Sequence, residues 1–280
     1  MPDPTITASS PDLDDWCARV PGLARDRDGH WTLSGGSEIF YPGGGHASIA
    51  DIEENSFWFN HRNAVIAAAA RRFPPGGRLF DIGGGNGYVS VGLRQAGFAC
   101  LVIEPGTTGA ANASRRGFPV VRAPFQDLRI PDESIPAAGL FDVLEHIPDD
   151  RAALANLWRV LKPGGRLYIA VPAYQALWSS EDRHAGHFRR YTLSGLQHRL
   201  REAGFDLEYG TYFFQILLLP ILLLRALPYW LGMRVINDPA EDHATPPPWL
   251  LHLLARERTH IEAGGALRFG ASCLVVARKR

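Results

Sequence analysis

The stretch Arg78-Leu79-Phe80-Asp81-Ile82-Gly83-Gly84-Gly85-Asn86-Gly87 decides how the rest of the chain is read. Residues 79–82 are apolar or β-prone around one acid and predict a buried strand, and the glycines after them force a tight turn. Residues 88–96 then have helical character and stop at Gly97. A strand that enters a helix through glycines brings backbone N–H groups and a helix N-terminus to the carboxyl edge of a sheet, where open α/β folds bind ligands. The spacing narrows the class. Gly83, Gly85 and Gly87 make GxGxG, whereas the dinucleotide fingerprint GxGxxG needs a glycine where Tyr88 stands. A glycine turn by itself does not separate a ligand cradle from a structural turn, so its neighbours decide.

Those neighbours alternate strand and helix. Cys100-Leu101-Val102-Ile103-Glu104 is a second buried strand ending in an acid, 21 residues beyond Gly83. A carboxylate there can accept from both hydroxyls of a ribose 2′,3′-diol. Residues 119–122 make a third strand, followed by Ala123-Pro124-Phe125-Gln126, and Phe125 is placed to touch a purine face or simply to join the core. Residues 137–141 make a fourth strand, leading into Asp142-Val143-Leu144-Glu145-His146-Ile147-Pro148-Asp149. Residues 151–161 form an amphipathic helix with Leu154, Leu157, Trp158 and Leu161 on one side, ended by Lys162-Pro163-Gly164-Gly165. Strands at 166–171 and 205–209, a helix at 192–203 and a last strand at 272–277 complete a doubly wound, mostly parallel sheet.

Composition excludes several classes. The chain has 280 residues, 46% of them hydrophobic, enough for one large domain or a domain with an elaboration. Its formal net charge is zero, so no global field recruits nucleic acid or an anionic membrane. Cys17, Cys100 and Cys273 are isolated, with no CxxC and no zinc spacing, which predicts a reducing, cytoplasmic setting. Residues 1–15 lack the pattern of a signal peptide and read as a frayed tail within a loop-rich extension, 1–50. That extension has room for a hairpin between 30–33 and 38–41. A helix at 51–72 carries Trp58 and Arg62 four apart on one face, either packing on the core or reaching a ligand carboxylate.

Taken together, these residues resemble the class I S-adenosylmethionine-dependent methyltransferases of the small-molecule type, in particular the ubiquinone and menaquinone biosynthesis group. The resemblance rests on 79–87, on Glu104, on 142–149, and on Leu161-Lys162-Pro163-Gly164-Gly165, and it covers residues 51–209. It implies a seven-stranded Rossmann-like sheet of order 3-2-1-4-5-7-6 with the last strand antiparallel, and S-adenosylmethionine as cofactor. It implies too that Asp81, Gly83, Gly84, Gly85, Asn86 and Gly87 hold the methionine part and Glu104 the ribose. Pro105, Pro124 and Phe125 would lie near adenine, with Trp58, Arg62 and Phe141 completing the site. Many relatives carry an acid where Pro124 stands, so Gln126 or backbone would have to meet the adenine amine.

A sulfonium methyl is already activated, and aligning it with its nucleophile is worth about 7–11 kcal/mol. A hydroxyl acceptor also needs a base, for which histidine suits neutral pH. The candidates are His146, just past the fourth strand, and His184 and His187 in the segment 184–192. No metal is assigned. If a helix began at Asp142, then Asp142, Glu145 and His146 would share a face, a pattern resembling the cation site of ubiquinone-biosynthesis O-methyltransferases.

An insertion at 211–269 separates the last two strands of the expected sheet, too long for an idle loop. Its first part, 212–231, is the most apolar segment of the chain, but Pro220, Arg225 and Pro228 argue against a membrane span. With a helix at 248–263 it reads as a cap over the carboxyl edge, walling a hydrophobic pocket. A homodimer interface and a peripheral membrane contact are the other readings of the same residues. The expected function is methyl transfer to a small, rather hydrophobic acceptor, with oxygen favoured over carbon or nitrogen. The competing readings are a cofactor-binding protein without transfer activity, a nicotinamide oxidoreductase, which the GxGxG spacing disfavours, and a membrane-associated lipid or isoprenoid methyltransferase.

Overall fold

The computed structural model describes residues 11–27, 29–33, 53–233 and 246–280. The segment 38–41, the start of the helix expected from residue 51, and 234–245 of the insertion lie outside the described residues.

The glycine stretch begins as a strand, β3 (Leu79–Ile82), with all four residues buried. Its neighbours are β4 (Cys100–Ile103), β5 (Val120–Arg122), β6 (Ile135–Phe141), β7 (Leu161–Pro172), β8 (Phe205–Phe213) and β9 (Ser272–Lys279). These run in the order β5-β4-β3-β6-β7-β9-β8, with β9 antiparallel to both its neighbours. That is the arrangement the resemblance implied. β3 pairs in parallel with β4 from Leu79↔Cys100 to Ile82↔Ile103, so both strands end level and Gly83 stands beside Glu104.

The sheet has nine strands among the described residues, not seven. β1 (Leu23–Arg25) and β2 (Trp31–Leu33) form an antiparallel ribbon, and β2 joins the β5 edge in parallel. The ribbon covers an edge that would otherwise expose unpaired N–H and C=O groups. The expected hairpin strand at 31–33 exists, but its partner is 23–25. The tail reading of 1–15 fails in part as well: α1 (Pro11–Ala18) buries Leu13, Trp16 and Cys17, and the Trp16 ring meets Phe80 edge-on at 4.8 Å. Three apolar side chains spaced for one helix face outweigh the polar residues between them.

Helices cover both sheet faces. On one face α1, α5 (Asp150–Val160) and α7 (Leu193–Glu202) pack on Phe80, Ile82, Leu101 and Ile169. On the other, α2 (Phe57–Arg72), α3 (Tyr88–Gln95), α4 (Thr107–Arg115) and α10 (Pro248–Glu262) pack on Leu79, Val102 and Tyr168. α6 (Ser180–Ala185) lies in the connection after β7. Trp158, expected on the buried side of α5, is half-exposed and donates its indole N–H to the Gly204 carbonyl.

The insertion leaves β8 at Phe214, in a left-handed conformation (φ 59°). A broken helix follows: α8 (Leu218–Ile221), a π turn (Leu222–Ala226) and α9 (Leu227–Trp230). Pro220 and Pro228 remove backbone donors along it, and widened turns are one way a helix accommodates such losses. It docks on the loop after β7, where Arg225 pairs with Glu181 at 2.6 Å and Trp230 donates to the Ala176 carbonyl. No helix among the described residues is long and apolar enough to cross a membrane. Leu224, Trp230 and Leu231 nevertheless remain well exposed.

Candidate active site

The glycine turn is built for close approach. Gly83, Gly85 and Gly87 have φ of 67°, 52° and 75°, a region open to glycine and strained for other residues. A Cβ on Gly83 would lie 2.8 Å from the Val143 side chain, and one on Gly84 2.9 Å from the Asp81 carboxyl. Across the crevice, a Cβ on Gly109 of α4 would stand 3.1 Å from the Gly85 carbonyl. A side chain at Gly83 would press on the turn after β6, one at Gly84 on Asp81, and one at Gly109 on the glycine turn itself.

Glu104 is buried and accepts from the Gly85 N–H (2.9 Å) and the Gly106 N–H (2.7 Å), one on each carboxylate oxygen. Each oxygen keeps a second acceptor site, the pair a vicinal diol would engage. Burial raises its pKa, and the two backbone bonds oppose that shift. Asp81 is fully buried beneath the turn, where the Ser90 hydroxyl of α3 donates to it at 2.7 Å. Burial pushes its pKa up to about 6. Asn86 holds the far side, accepting from Asn112 at 2.9 Å and reaching Glu53. Phe125 and Phe141 are buried, Pro124 precedes a 3₁₀ turn, Pro105 is part-exposed, and Gln126 is exposed.

Helix α2 brings Trp58 and Arg62 to the same edge. Arg62 pairs with Asp142 of the chain itself, where the sequence reading has it reaching a ligand carboxylate. Trp58 stacks on Phe214 with ring centroids 3.9 Å apart. Beside them Tyr174 stacks on Tyr212 at 5.1 Å. Asp142, Tyr174 and Phe214, which follow β6, β7 and β8, all adopt positive φ, between 54° and 59°. Such conformations cost about 1–3 kcal/mol each and concentrate at functional sites. These three fall at the ends of β6, of β7 and, with β9 between, of β8.

No helix begins at Asp142. Its left-handed backbone turns the chain into a 3₁₀ turn (Leu144–His146), and its carboxylate is engaged by Arg62. The expected grouping of Asp142, Glu145 and His146 on one helix face therefore does not form. Glu145 and His146 meet His187 instead, with one possible ligand atom from each within 4.8 Å of the others. Glu145 is wholly buried, and its two carboxylate oxygens have no hydrogen-bond partner among the described residues. Burial, with Asp142 adding to it, raises its pKa well above the carboxylate range. The His146 and His187 rings are 4.6 Å apart, edge to face. Burial and the neighbouring His187 lower the His146 pKa to about 4, leaving its imidazole neutral.

His184 does not join them. It is exposed on α6, with Nδ1 against the Ser180 carbonyl one turn back. Asp182, which the sequence reading passed over, and Arg190, which lies in the candidate segment 184–192, do belong here. Asp182 closes a capping box with Ser179 and bonds both His187 and Arg190. The Ser-x-x-Asp spacing ahead of α6 was the signal available for it. Arg189 points elsewhere, to Asp150 at 3.1 Å.

With this geometry in place, comparison with known proteins assigns the class. A family model described as a methyltransferase domain matches residues 58–209, more than half of the chain, and the chain belongs to that family. S-adenosylmethionine is the cofactor implied by that family and fold.

Among curated relatives, a Mycolicibacterium smegmatis protein named "probable S-adenosylmethionine-dependent methyltransferase" is 26% identical over 171 residues, covering 59% of this chain and 65% of the relative. A demethylmenaquinone methyltransferase of Corynebacterium efficiens is 32% identical over 110 residues, covering 37% of this chain and 48% of the relative. The chain thus spans between about half and two thirds of these relatives. A SAM-dependent methyltransferase structure from Thermotoga maritima shares the fold, with TM-score 0.53 and 20% identity, covering 84% of this chain and 97% of that one. The residues here fit the cofactor: a glycine cradle that side chains would fill, with a buried carboxylate holding spare acceptor sites beside it.

Proposed function

We propose that the protein transfers the methyl group of S-adenosylmethionine to a small, rather hydrophobic acceptor, with oxygen as the favoured acceptor atom. The observation that carries this reading is the meeting of His146, His187 and Glu145 around the turn after β6, the strand paired with β3, which we take as the acceptor side. Bound S-adenosylmethionine would supply an activated methyl, and the chain has to bind, orient and deprotonate. Glu104 and the glycine turn are the groups to hold the nucleoside. The partly exposed rings of Trp58 and Tyr174, backed by Phe214 and Tyr212, are the apolar groups that would meet a planar or isoprenoid acceptor. The neutral His146 and the hydrogen-bonded His187 give basic nitrogens of the kind that transfer to oxygen needs.

Calorimetry with S-adenosylhomocysteine, followed by methyl-label transfer to a panel of phenols, quinols, isoprenoid alcohols and amines, tests the proposal. Binding with labelled phenol or alcohol products is the expected result. Binding without transfer to any acceptor would favour a cofactor-binding protein without activity, and labelled amines alone would overturn the preference for oxygen.

The apolar surface of α8 and α9 gives a second reading some support, namely an enzyme that takes its acceptor from a lipid surface. Co-sedimentation with phospholipid vesicles separates the two, because a protein acting on freely dissolved acceptors stays in the supernatant.

A further inference from the structure

The histidines of the acceptor side differ in how they are held, and the difference lies in Asp182. This side chain is fully buried although it carries a carboxylate. Its Oδ1 accepts from Arg190 Nε at 2.7 Å, and its Oδ2 from the Ser179 N–H at 2.8 Å and from Arg190 Nη2 at 3.0 Å. The remaining contact of Oδ1 is His187 Nδ1, at 2.8 Å. The backbone closes the same loop: the His187 N–H donates to the Asp182 carbonyl, and the Phe188 N–H to the Glu145 carbonyl. Arginine and a main-chain amide have only protons to give, so Asp182 can only accept from them. Its charge is stabilised accordingly: burial works against it, but His187 and Arg190 outweigh burial and hold its pKa at about 2.

We propose that Asp182 is a positioning residue that fixes His187 in the tautomer with hydrogen on Nδ1, leaving the Nε2 lone pair on the acceptor side as the base for the reaction. The proposal rests on the methyl-transfer reading above. Nε2 lies 4.0 Å from the Glu145 carboxylate and beside the His146 ring, inside the cluster that follows β6. In the step, the acceptor O–H bond breaks and its proton goes to Nε2. The freed oxygen pair forms the new O–C bond while the S–C bond of bound S-adenosylmethionine breaks, its pair staying on sulfur. The imidazolium is then held by Asp182 on Nδ1 and returns its proton to solvent through the partly exposed side of the ring. His146 contacts the backbone at Ala185, and burial with the neighbouring His187 lowers its pKa to about 4, which makes it the poorer base of the two. The groups facing His187 are Asp182 and Arg190 from its own segment, and Glu145 and His146 from the turn after β6.

The test is a long-range proton–nitrogen correlation spectrum of protein labelled with ¹⁵N at histidine, saturated with S-adenosylhomocysteine at a pH where imidazoles are neutral. His187→Gln identifies the signal. The expected result is hydrogen on Nδ1 of His187 in the wild type. In Asp182→Asn the amide oxygen keeps the two donors at Oδ2, Ser179 N–H and Arg190 Nη2, and the NH₂ turns to His187 Nδ1, so the Nδ1 tautomer is lost; in Asp182→Glu it returns.

A wild-type His187 with hydrogen on Nε2 would overturn the proposal, as would an Asp182→Asn spectrum unchanged at His187. So would a His187 signal that shifts on adding a chelator, since the ring would then be serving a bound cation. If Asp182→Asn fails to fold, the wild-type tautomer alone decides. Calorimetry on the same samples keeps the two readings apart. Absence of S-adenosylhomocysteine binding removes the methyl-transfer reading and leaves the tautomer result to stand or fall by itself.

Discussion

Glu257 is the residue by which the inserted helix α10 is tied to the rest of the domain, and replacing it with glutamine is a sharp test of that role. The side chain is buried, and one carboxylate oxygen faces both His61 Nε2 and the Phe214 N–H, each at 2.7 Å. The other accepts from the Gln215 N–H at 2.8 Å. Phe214 and Gln215 are where the chain leaves β8 in a left-handed turn, so helical pairing cannot supply partners for these two N–H groups.

Glutamine has nearly the same shape but only one acceptor oxygen. With that oxygen kept toward His61 and Phe214, the new NH₂ opposes the Gln215 N–H and leaves a buried donor unpaired. A lost charge-assisted bond of this kind costs about 2 kcal/mol. For a domain of this size that lowers the melting temperature by about 4–8 °C. Glu262 on the same helix is the control, because its ion pairs with Arg71 and Arg258 are exposed and 3.7 Å long. Glu262→Gln should cost under about 0.5 kcal/mol. Differential scanning calorimetry reads both variants. If Glu257→Gln melts within a degree or so of Glu262→Gln, the carboxylate is not what anchors the insertion.

Gly85→Val places a β-branched residue at φ 52° in the cradle, and S-adenosylhomocysteine binding should fall below detection by calorimetry while the far-ultraviolet dichroism persists. Asp81 gives the clearest pH signature. Its folded pKa of about 6 lies above its ordinary 3.8, so the stability it contributes is complete below about pH 4 and is lost as pH rises through 6, about 3 kcal/mol in all. Asp81→Asn has no such proton to lose, and urea midpoints between pH 4 and 7 should be flatter for it than for the wild type; parallel curves would count against the burial argument. His146→Ala should cut turnover on any accepted phenol while S-adenosylhomocysteine affinity stays within about threefold. His184→Ala should leave both unchanged, and a large loss there would mean that α6 turns over during the reaction.

Much of this protein was legible in one dimension. The strand at 79–82, the glycine turn, the acid closing the second strand and the helix stop at 161–165 are local patterns. Their order gave the parallel sheet and Glu104 beside the turn, because strand and helix periods and glycine geometry are properties of short segments, and the resemblance of the same segments to a known family supplied the cofactor.

What only the tertiary structure decided is which distant residues meet. Asp142, Glu145 and His146 looked like one helix face, but a single left-handed residue sent Asp142 to Arg62 and brought His187, some forty positions on, to the other two. The polar N-terminal segment became a packed helix and an edge ribbon because the sheet offered Phe80 and an open β5 edge. Asp182 and Glu257 are ordinary acids in sequence: Asp182 acquires its role from a loop that folds back on it, and Glu257 from backbone donors at the end of a distant strand. Sequence fixes periodicity within an element, whereas the meeting of elements is set by the burial of all of them at once, and side chains from separate loops can share a proton only after that.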